Sequence, residues 1–183
     1  MLAENIAYFT AAMKTYDIWQ ENLPNLLDEK NRRSELCHGL SSASKAFNSW
    51  SSHKITLECR RACGGHGFSH FAIIGQIAQG NDINQTWEGD NSVLLQQTAK
   101  FILWNLQWLS KGKTIQETCE YLTMDCSDKL TLTDHESPKV LLKLITARAC
   151  ELAHKIGMKI VSDLSIWDKL QHFDIFAMTR AYY

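Results

Sequence analysis

The sequence is poor in proline and glycine, and neither sign of charge is in excess. Only 2 prolines and 9 glycines occur among 183 residues, which disfavours an architecture of short strands and turns and favours long helices. The 19 lysines and arginines balance the 20 aspartates and glutamates, so no broad basic field exists to attract nucleic acid or anionic lipid. No apolar run approaches the roughly 18 residues that a membrane-spanning helix needs. The sequence therefore predicts a soluble protein with no membrane span and no nucleic-acid partner.

Signals for secretion and targeting are also missing from the two ends of the sequence. The first residues, MLAENI, lack a basic stretch, and the last five, TRAYY, match neither the Ser-Lys-Leu nor the Lys-Asp-Glu-Leu signal. The six cysteines are irregularly spaced, at positions 37, 59, 63, 119, 126 and 150. This usage predicts reduced thiols in an intracellular protein.

Apolar residues recur at steps of three and four along most of the chain, which is the pattern of amphipathic helices. The stripes comprise Leu2, Ile6, Phe9, Met13 and Tyr16; Leu36, Leu40, Ala43, Phe47, Trp50 and Leu57; Leu94, Thr98, Phe101, Leu106 and Leu109; Leu141, Ile145, Ala149, Leu152, Ile156 and Ile160; and Leu164, Trp167, Leu170, Ile175 and Met178. The predicted fold class is all-α, a helical bundle. Its first two helices are predicted to pack as antiparallel neighbours because their connection is short.

The second stripe ends at a cluster of glycines, which cannot continue a helix without cost. The cluster comprises Gly64, Gly65 and Gly67 around His66. Residues 68–89 show no sustained period and are predicted to form a long irregular loop, a kind of segment that is usually functional or disordered. A further helix is predicted to begin at Asp90 or Asn91 and to end at residues 111–113.

A change in residue composition after this helix predicts a domain boundary. The polar run DCSD at residues 125–128 is followed by Ser137 and Pro138, a helix cap with proline at the first helical position. The predicted domains are residues 1–112, which contain the glycine cluster, and residues 113–183.

Four residues of the types that bind zinc lie close together: Cys59, Cys63, His66 and His70. Structural zinc sites usually separate their two ligand pairs by a dozen or more residues, so that the pairs converge from different elements. Here the pairs are nearly contiguous. The sequence therefore predicts no metal site, and the two cysteines are interpreted as neighbours on one helical turn.

The glycine cluster allows two interpretations. Glycine lets backbone N–H groups approach an anion, so residues 64–67 could cradle a phosphate. The cluster follows a predicted helix and matches neither the dinucleotide-binding nor the P-loop pattern, which makes a helix C-cap the simpler interpretation.

Glu88 lies between Trp87 and Gly89, just before a predicted helix. A carboxylate that a large aromatic side chain shields from water is suited to general-base chemistry, and Gly89 would let a substrate approach the backbone. The alternative is a solvated glutamate whose charge complements the dipole of the following helix.

Three motifs together resemble one enzyme family. CRRACGGHGFSH at residues 59–70, TWEGDN at 86–91 and VLLQQTA at 93–99 are similar to the C-terminal helical part of peroxisomal acyl-CoA oxidases, and KAFNSW at 45–50 also resembles that family. The resemblance is strongest over residues 36–106.

The resemblance implies a function for several of these residues. Glu88 would remove the α-proton of a fatty acyl-CoA, a hydride would pass to FAD, and O2 would reoxidise the flavin to give H2O2 and a trans-2-enoyl-CoA. The backbone N–H of Glu88 would help to hold the thioester carbonyl. Gly64, Gly65, His66 and Gly67 would approach the FAD diphosphate, often that of the neighbouring subunit of a homodimer, and Asp90 and Asn91 would complete the cofactor-binding set. The implied location is the peroxisome.

The family's N-terminal helical domain and β domain have no counterpart in these residues, so the chain is interpreted as a fragment or partial gene product. Activity of the chain alone is therefore doubtful, and apolar helix faces such as Leu2, Ile6, Phe9 and Met13 are expected to be exposed. Two alternatives remain. One is an acyl-CoA dehydrogenase, which uses the same base; the other is a non-catalytic helical module.

Overall fold

A computed structural model describes residues 2–26, 32–124, 137–161 and 173–182 of the chain. These residues form helices and turns and contain no strand, which confirms the all-α prediction. The α-helices are α1 (Leu2–Asn22), α2 (Arg33–Ala62), α3 (Gly64–Phe68), α4 (Ile74–Asp82), α5 (Asn91–Ser110), α6 (Pro138–Val161) and α7 (Phe173–Tyr182). Short 3-10 helices occur at Leu23–Asn25, His70–Ala72, Ile83–Gln85 and Glu117–Thr123. None of the helices in the described ranges is long and apolar enough to cross a membrane.

The chain divides into two compact units, Met1–Leu95 with Tyr183, and Gln96–Tyr182, so the division falls within α5. A compact unit and a family domain are different divisions of a chain. The boundary predicted after residue 112 therefore stays a prediction.

Capping residues explain where the predicted helices begin and end. Asp90 caps α5, since its Oδ1 accepts a hydrogen bond from the backbone N–H of Ser92 at 2.8 Å. Gly112, with φ of 66°, follows the end of α5, and Pro138 is the first residue of α6. These termini were predicted correctly because side chains and glycines close to each helix end determine them.

The long irregular loop predicted for residues 68–89 is wrong. The 3-10 helix at His70–Ala72 and α4 occupy most of it. α4 packs on α2, with Ala78 buried and a hydrogen bond of 2.8 Å from Asn81 Nδ2 to Ser52 Oγ. Packing on a neighbouring helix thus outweighs the poor helix propensity of the glycines within α4.

The core of the first unit lies where α2 meets α1, which confirms that these two helices pack together. Leu36, Ala43, Ala46 and Phe47 are buried on α2, and the ring of Tyr8 stacks on that of Phe47 at a centroid distance of 5.9 Å. The predicted apolar stripe of α1 lies on the surface instead: Ile6, Phe9, Met13 and Tyr16 are each about half exposed or more. Exposure was expected for Ile6, Phe9 and Met13 and is confirmed, while the side chain of Leu2 lies outside the described residues.

The second unit is built around buried residues of α5, α6, α7 and the 3-10 helix at Glu117–Thr123. They include Phe101, Ile102, Cys119, Leu122, Cys150, Ile156 and Met178. Asn105 is fully buried and satisfies its amide within the chain: Nδ2 donates to Phe101 O and Oδ1 accepts from Gln116 N, both at 2.9 Å. The α6 stripe is buried at Ala149 and Ile156 but exposed at Leu141 and Ile145. In the last predicted stripe, Leu164, Trp167 and Leu170 lie outside the described residues.

Candidate active site

A sharp turn at residues 87–89, named here the Glu88 turn, precedes α5. Glu88 has φ of 55° and Gly89 has φ of 102°, so two consecutive residues are left-handed. Few side chains other than glycine and asparagine adopt this region, and a glutamate there is uncommon. A Cβ at position 89 would also lie 3.0 Å from Leu94 Cδ2. Glycine is therefore required at position 89, and the turn presents Glu88 at the surface, where it is exposed.

Lys45 of α2 attaches this turn to α2 through hydrogen bonds. Its Nζ donates hydrogen bonds to Gly89 O at 2.7 Å and to Asn91 Oδ1 at 2.8 Å. Burial lowers the pKa of Lys45, and the nearby carboxylates of Asp90 and Glu88 partly oppose that effect. No role was predicted for Lys45 from the sequence. The signal in the sequence was a lysine within the KAFNSW motif, two residues from Ala43 and Phe47 of the predicted apolar stripe.

Asn91 and Asp90 connect the turn to the helices. Asn91 is 2% exposed, and its Nδ2 donates to Ser49 Oγ at 2.8 Å and to Ala46 O at 3.3 Å. Both amide hydrogens are therefore used within the chain, and the side chain attaches the start of α5 to α2. Asp90 is exposed and acts as the α5 cap. The cofactor contacts predicted for both residues stay predictions.

The second candidate region is residues 64–67, named here the glycine segment. Gly64 follows α2 with φ of 57°, which confirms the helix-cap interpretation. Gly67 is buried, and a Cβ there would overlap the carbonyl oxygen of Arg60. Gly64, Gly65 and His66 are exposed, with no atom within 4 Å of a Cβ added at either glycine. Gly67 thus lets α3 pack on the end of α2, whereas its neighbours present bare backbone to solvent.

The structure brings Glu88, Asp90 and Asn91 together, but it places the glycine segment in α3, at the far end of α2. Lys45 anchors the Glu88 turn, and Arg60 contacts the glycine segment, 15 residues further along the same helix. At a rise of about 1.5 Å per residue, these two anchor points are roughly 22 Å apart. The two regions are therefore attached to α2 at positions about four helical turns apart.

Trp87 does not shield Glu88 in the way the sequence suggested. Its Nε1 donates to Asn84 Oδ1 at 2.8 Å, its side chain is 52% exposed, and Glu88 is exposed as well. The hydrogen bond to Asn84 directs the indole back toward the preceding 3-10 helix. The expectation that Trp87 removes Glu88 from water is therefore wrong for the chain as described.

The four cysteine and histidine side chains considered for zinc are all exposed: Cys59, Cys63, His66 and His70. His70 Nδ1 pairs with Gln76 Nε2 at 2.6 Å. Within the described ranges, no three histidine, cysteine, aspartate or glutamate side chains are arranged to hold a metal ion.

Purified protein is expected to contain no stoichiometric zinc, because ligand pairs this close in sequence cannot surround one ion from different elements. Elemental analysis after gel filtration measures the zinc content. One zinc per chain that disappears in Cys63→Ser would contradict the prediction, and Cys37→Ser, which changes a buried thiol elsewhere on α2, serves as the control.

Comparison with known proteins gives consistent matches to one family. A family model described as the acyl-CoA oxidase C-alpha1 domain matches residues 1–103. Peroxisomal acyl-coenzyme A oxidase 3 of Homo sapiens is 46% identical over 79 residues, 42% of this chain and 11% of that protein. Peroxisomal acyl-coenzyme A oxidase 1 of Homo sapiens is 34% identical over 130 residues, 64% of this chain and 20% of that protein.

Solved structures share the fold. Acyl-CoA oxidase-1 of Caenorhabditis elegans, crystallised with FAD and ATP, matches 96% of this chain with a TM-score of 0.80 at 21% identity. Acyl-CoA oxidase 3 of Yarrowia lipolytica matches 93% of it with a TM-score of 0.75 at 25% identity. The chain spans 28% and 27% of these two proteins. Since the family model matches residues 1–103 of 183, a stretch that includes the glycine segment and the Glu88 turn, the chain belongs to the acyl-CoA oxidase family.

Proposed function

We propose that this chain supplies the catalytic base of an FAD-dependent acyl-CoA oxidase, and that Glu88 is that base. The observation that carries the proposal is the left-handed backbone of Glu88, an uncommon conformation next to Gly89, whose carbonyl accepts a hydrogen bond from Lys45 of α2. A polar residue kept in such a conformation, with its carboxylate exposed, is typical of functional sites. Glu88 would accept the α-proton of a fatty acyl-CoA, and its backbone N–H would donate to the thioester carbonyl as negative charge develops there.

The glycine segment fits the diphosphate of FAD. Gly64 and Gly65 are exposed and carry no Cβ, and the last turn of α2 adds Arg60 and Arg61 close by. When bound, FAD would accept the hydride from the β-carbon and pass the electrons to O2, which yields H2O2. Asp90, exposed at the start of α5, would stand beside the cofactor together with the buried Asn91. The latter would act chiefly by holding the turn.

The separation of roughly 22 Å along α2 supports a homodimer. If Glu88 faces one flavin, the glycine segment of the same chain is suited to the flavin of a neighbouring subunit. The named human relatives are peroxisomal acyl-coenzyme A oxidases, which supports the peroxisome as the location. The family match favours the oxidase over the acyl-CoA dehydrogenase alternative.

The 183 residues alone are expected neither to retain FAD nor to form peroxide from palmitoyl-CoA. Catalysis also needs the flavin ring fixed against the α and β carbons, and a misplacement of about 1 Å can cost 10²-fold. The exposed stripe of α1 should also promote self-association of the isolated chain. Absorbance in the flavin bands and a peroxide assay measure the first two properties, and a yellow protein that makes peroxide would contradict this expectation.

A graft tests the proposed function directly. Residues 1–103 replace the corresponding C-alpha1 domain of human peroxisomal acyl-coenzyme A oxidase 1, and the FAD-loaded product is assayed for peroxide formation. An active graft supports the proposal. A graft that binds FAD but makes no peroxide would instead favour a non-catalytic helical module.

A further inference from the structure

We infer that Lys45 is a positioning residue for Glu88, which fixes the backbone of the Glu88 turn and presents a positive charge to the carboxylate. This inference rests on the proposed function, in which Glu88 is the base. Lys45 touches neither substrate nor cofactor in this assignment. It acts through the residues that it holds.

Hydrogen bonds attach the turn to α2 at Gly89 and at Asn91. Lys45 Nζ donates to Gly89 O at 2.7 Å and to Asn91 Oδ1 at 2.8 Å, and Asn91 Nδ2 donates in turn to Ser49 Oγ and Ala46 O. The carbonyl of Gly89 and the side chain of Asn91 therefore share one donor. Bonds to a charged donor are among the stronger hydrogen bonds, and together they limit the backbone rotation of Gly89, the residue that directly follows Glu88.

Charge supplies the second part of the argument. The two acceptors of Lys45 in these bonds are neutral oxygens, whereas the charged groups that interact with its ammonium group are the carboxylates of Asp90 and Glu88. Asp90 is already held as the cap of α5, through its bond to Ser92 N. Glu88 is exposed, and in this proposal the positive charge of Lys45 would bias where the Glu88 carboxylate lies. A neutral side chain at position 45 would remove both the bonds and this bias.

An NMR titration of the 183-residue chain tests the charge coupling. The Lys45 signal is assigned by its loss in Lys45→Arg, and its midpoint is measured in wild type and in Glu88→Gln. We expect the pKa of Lys45 to fall in Glu88→Gln, because that variant removes an attractive carboxylate while burial still disfavours the ammonium form. The control Glu58→Gln, whose carboxylate accepts from Arg61 at 2.8 Å, should leave the midpoint unchanged. An unchanged midpoint in Glu88→Gln would overturn the inference.

Limited proteolysis tests the backbone role. A glutamate-specific protease cleaves the bond after Glu88, and the rate should rise roughly five- to tenfold in Lys45→Met, which keeps the aliphatic stem but loses the donors. Lys45→Arg should restore most of the protection, since it keeps a charged donor. Cleavage after Glu117, in the second unit, is the internal control for global unfolding. Equal cleavage at Glu88 in all three proteins would overturn the inference, and if cleavage at Glu117 also rises, the titration of Glu88→Gln decides.

The grafted oxidase supplies the catalytic readout. Lys45→Met should lower kcat about tenfold with little change in KM or FAD content, because the base is misplaced while substrate binding persists, and Lys45→Arg should recover most of the loss. Equal losses in both variants, or a loss confined to KM, would overturn the positioning role. Failure of the proposed function has a different signature, namely a fully active Glu88→Gln graft, so the two failures are distinguishable.

Discussion

Substitution of Glu88 by glutamine in the FAD-loaded graft should reduce the rate of flavin reduction by palmitoyl-CoA about 10³-fold. Glutamine keeps the size of the side chain and can occupy the same left-handed turn, but it cannot accept the α-proton. Because an effect on the chemical step alone lowers kcat and leaves bound cofactor intact, FAD content should stay near that of the unmodified graft. Stopped-flow absorbance of the oxidised flavin under anaerobic conditions measures the rate.

The matched control for this substitution is Glu21→Gln. Glu21 is exposed near the end of α1 and belongs to neither the Glu88 turn nor the glycine segment. The control should reduce flavin at the rate of the unmodified graft. Near-normal reduction in Glu88→Gln would show that another group removes the proton, and equal losses in the two variants would indicate a general defect of the graft.

Gly67→Ala should be the most destabilising single-methyl substitution in the glycine segment, with a loss of about 3 kcal/mol in the free energy of unfolding. A Cβ at this position would overlap the carbonyl oxygen of Arg60 and lie 3.0 Å from Cys63 Cβ, so the backbone of α2 or α3 would have to shift. A shift of backbone is costlier than the rotation of a flexible side chain. Urea unfolding of the 183-residue chain, followed by circular dichroism, measures the loss.

Gly65→Ala provides the comparison in the same short helix. A Cβ at position 65 has nothing within 4 Å, so this variant should unfold within about 1 kcal/mol of wild type. Similar stabilities for the two variants would contradict the close packing of Gly67 on Arg60. The pair also separates two roles of the glycine segment. Gly67 is required for the packing of α3 on α2, whether or not a cofactor is bound. Gly64 and Gly65 make no such packing contact and remain available for the proposed diphosphate contact.

Helix termini were predictable because the residues that determine them are neighbours in sequence. Asp90 caps α5 through Ser92, two residues away, and Pro138 begins α6 directly after Ser137. The recurrence of apolar residues at steps of three and four likewise located α1, α2, α5 and α6. Such local interactions need no knowledge of the rest of the fold.

The helix α4 was not predictable in this way. Its glycines weaken the local preference for a helix, and the contacts that stabilise it come from α2, more than 20 residues earlier, through Ala78 and the bond from Asn81 to Ser52. The same limit applies to the surface of α1, where periodicity identifies a stripe at Ile6, Phe9 and Met13 but does not say whether another element covers it. The spacing of apolar residues identifies the apolar face of a helix. Whether that face is buried depends on which other element packs against it.

The sequence by itself determined the all-α fold, most helix ends, the glycine cap after α2 and the motifs that resemble acyl-CoA oxidases, because each depends on residues a few positions apart. Only the tertiary structure decided that Lys45 reaches Gly89 and Asn91 across 44 and 46 positions, that Glu88 is left-handed and exposed, and that Gly67 meets Arg60. A hydrogen bond or a steric contact between distant residues depends on how whole helices pack. That packing follows from the sum of many weak interactions, and no single motif determines it.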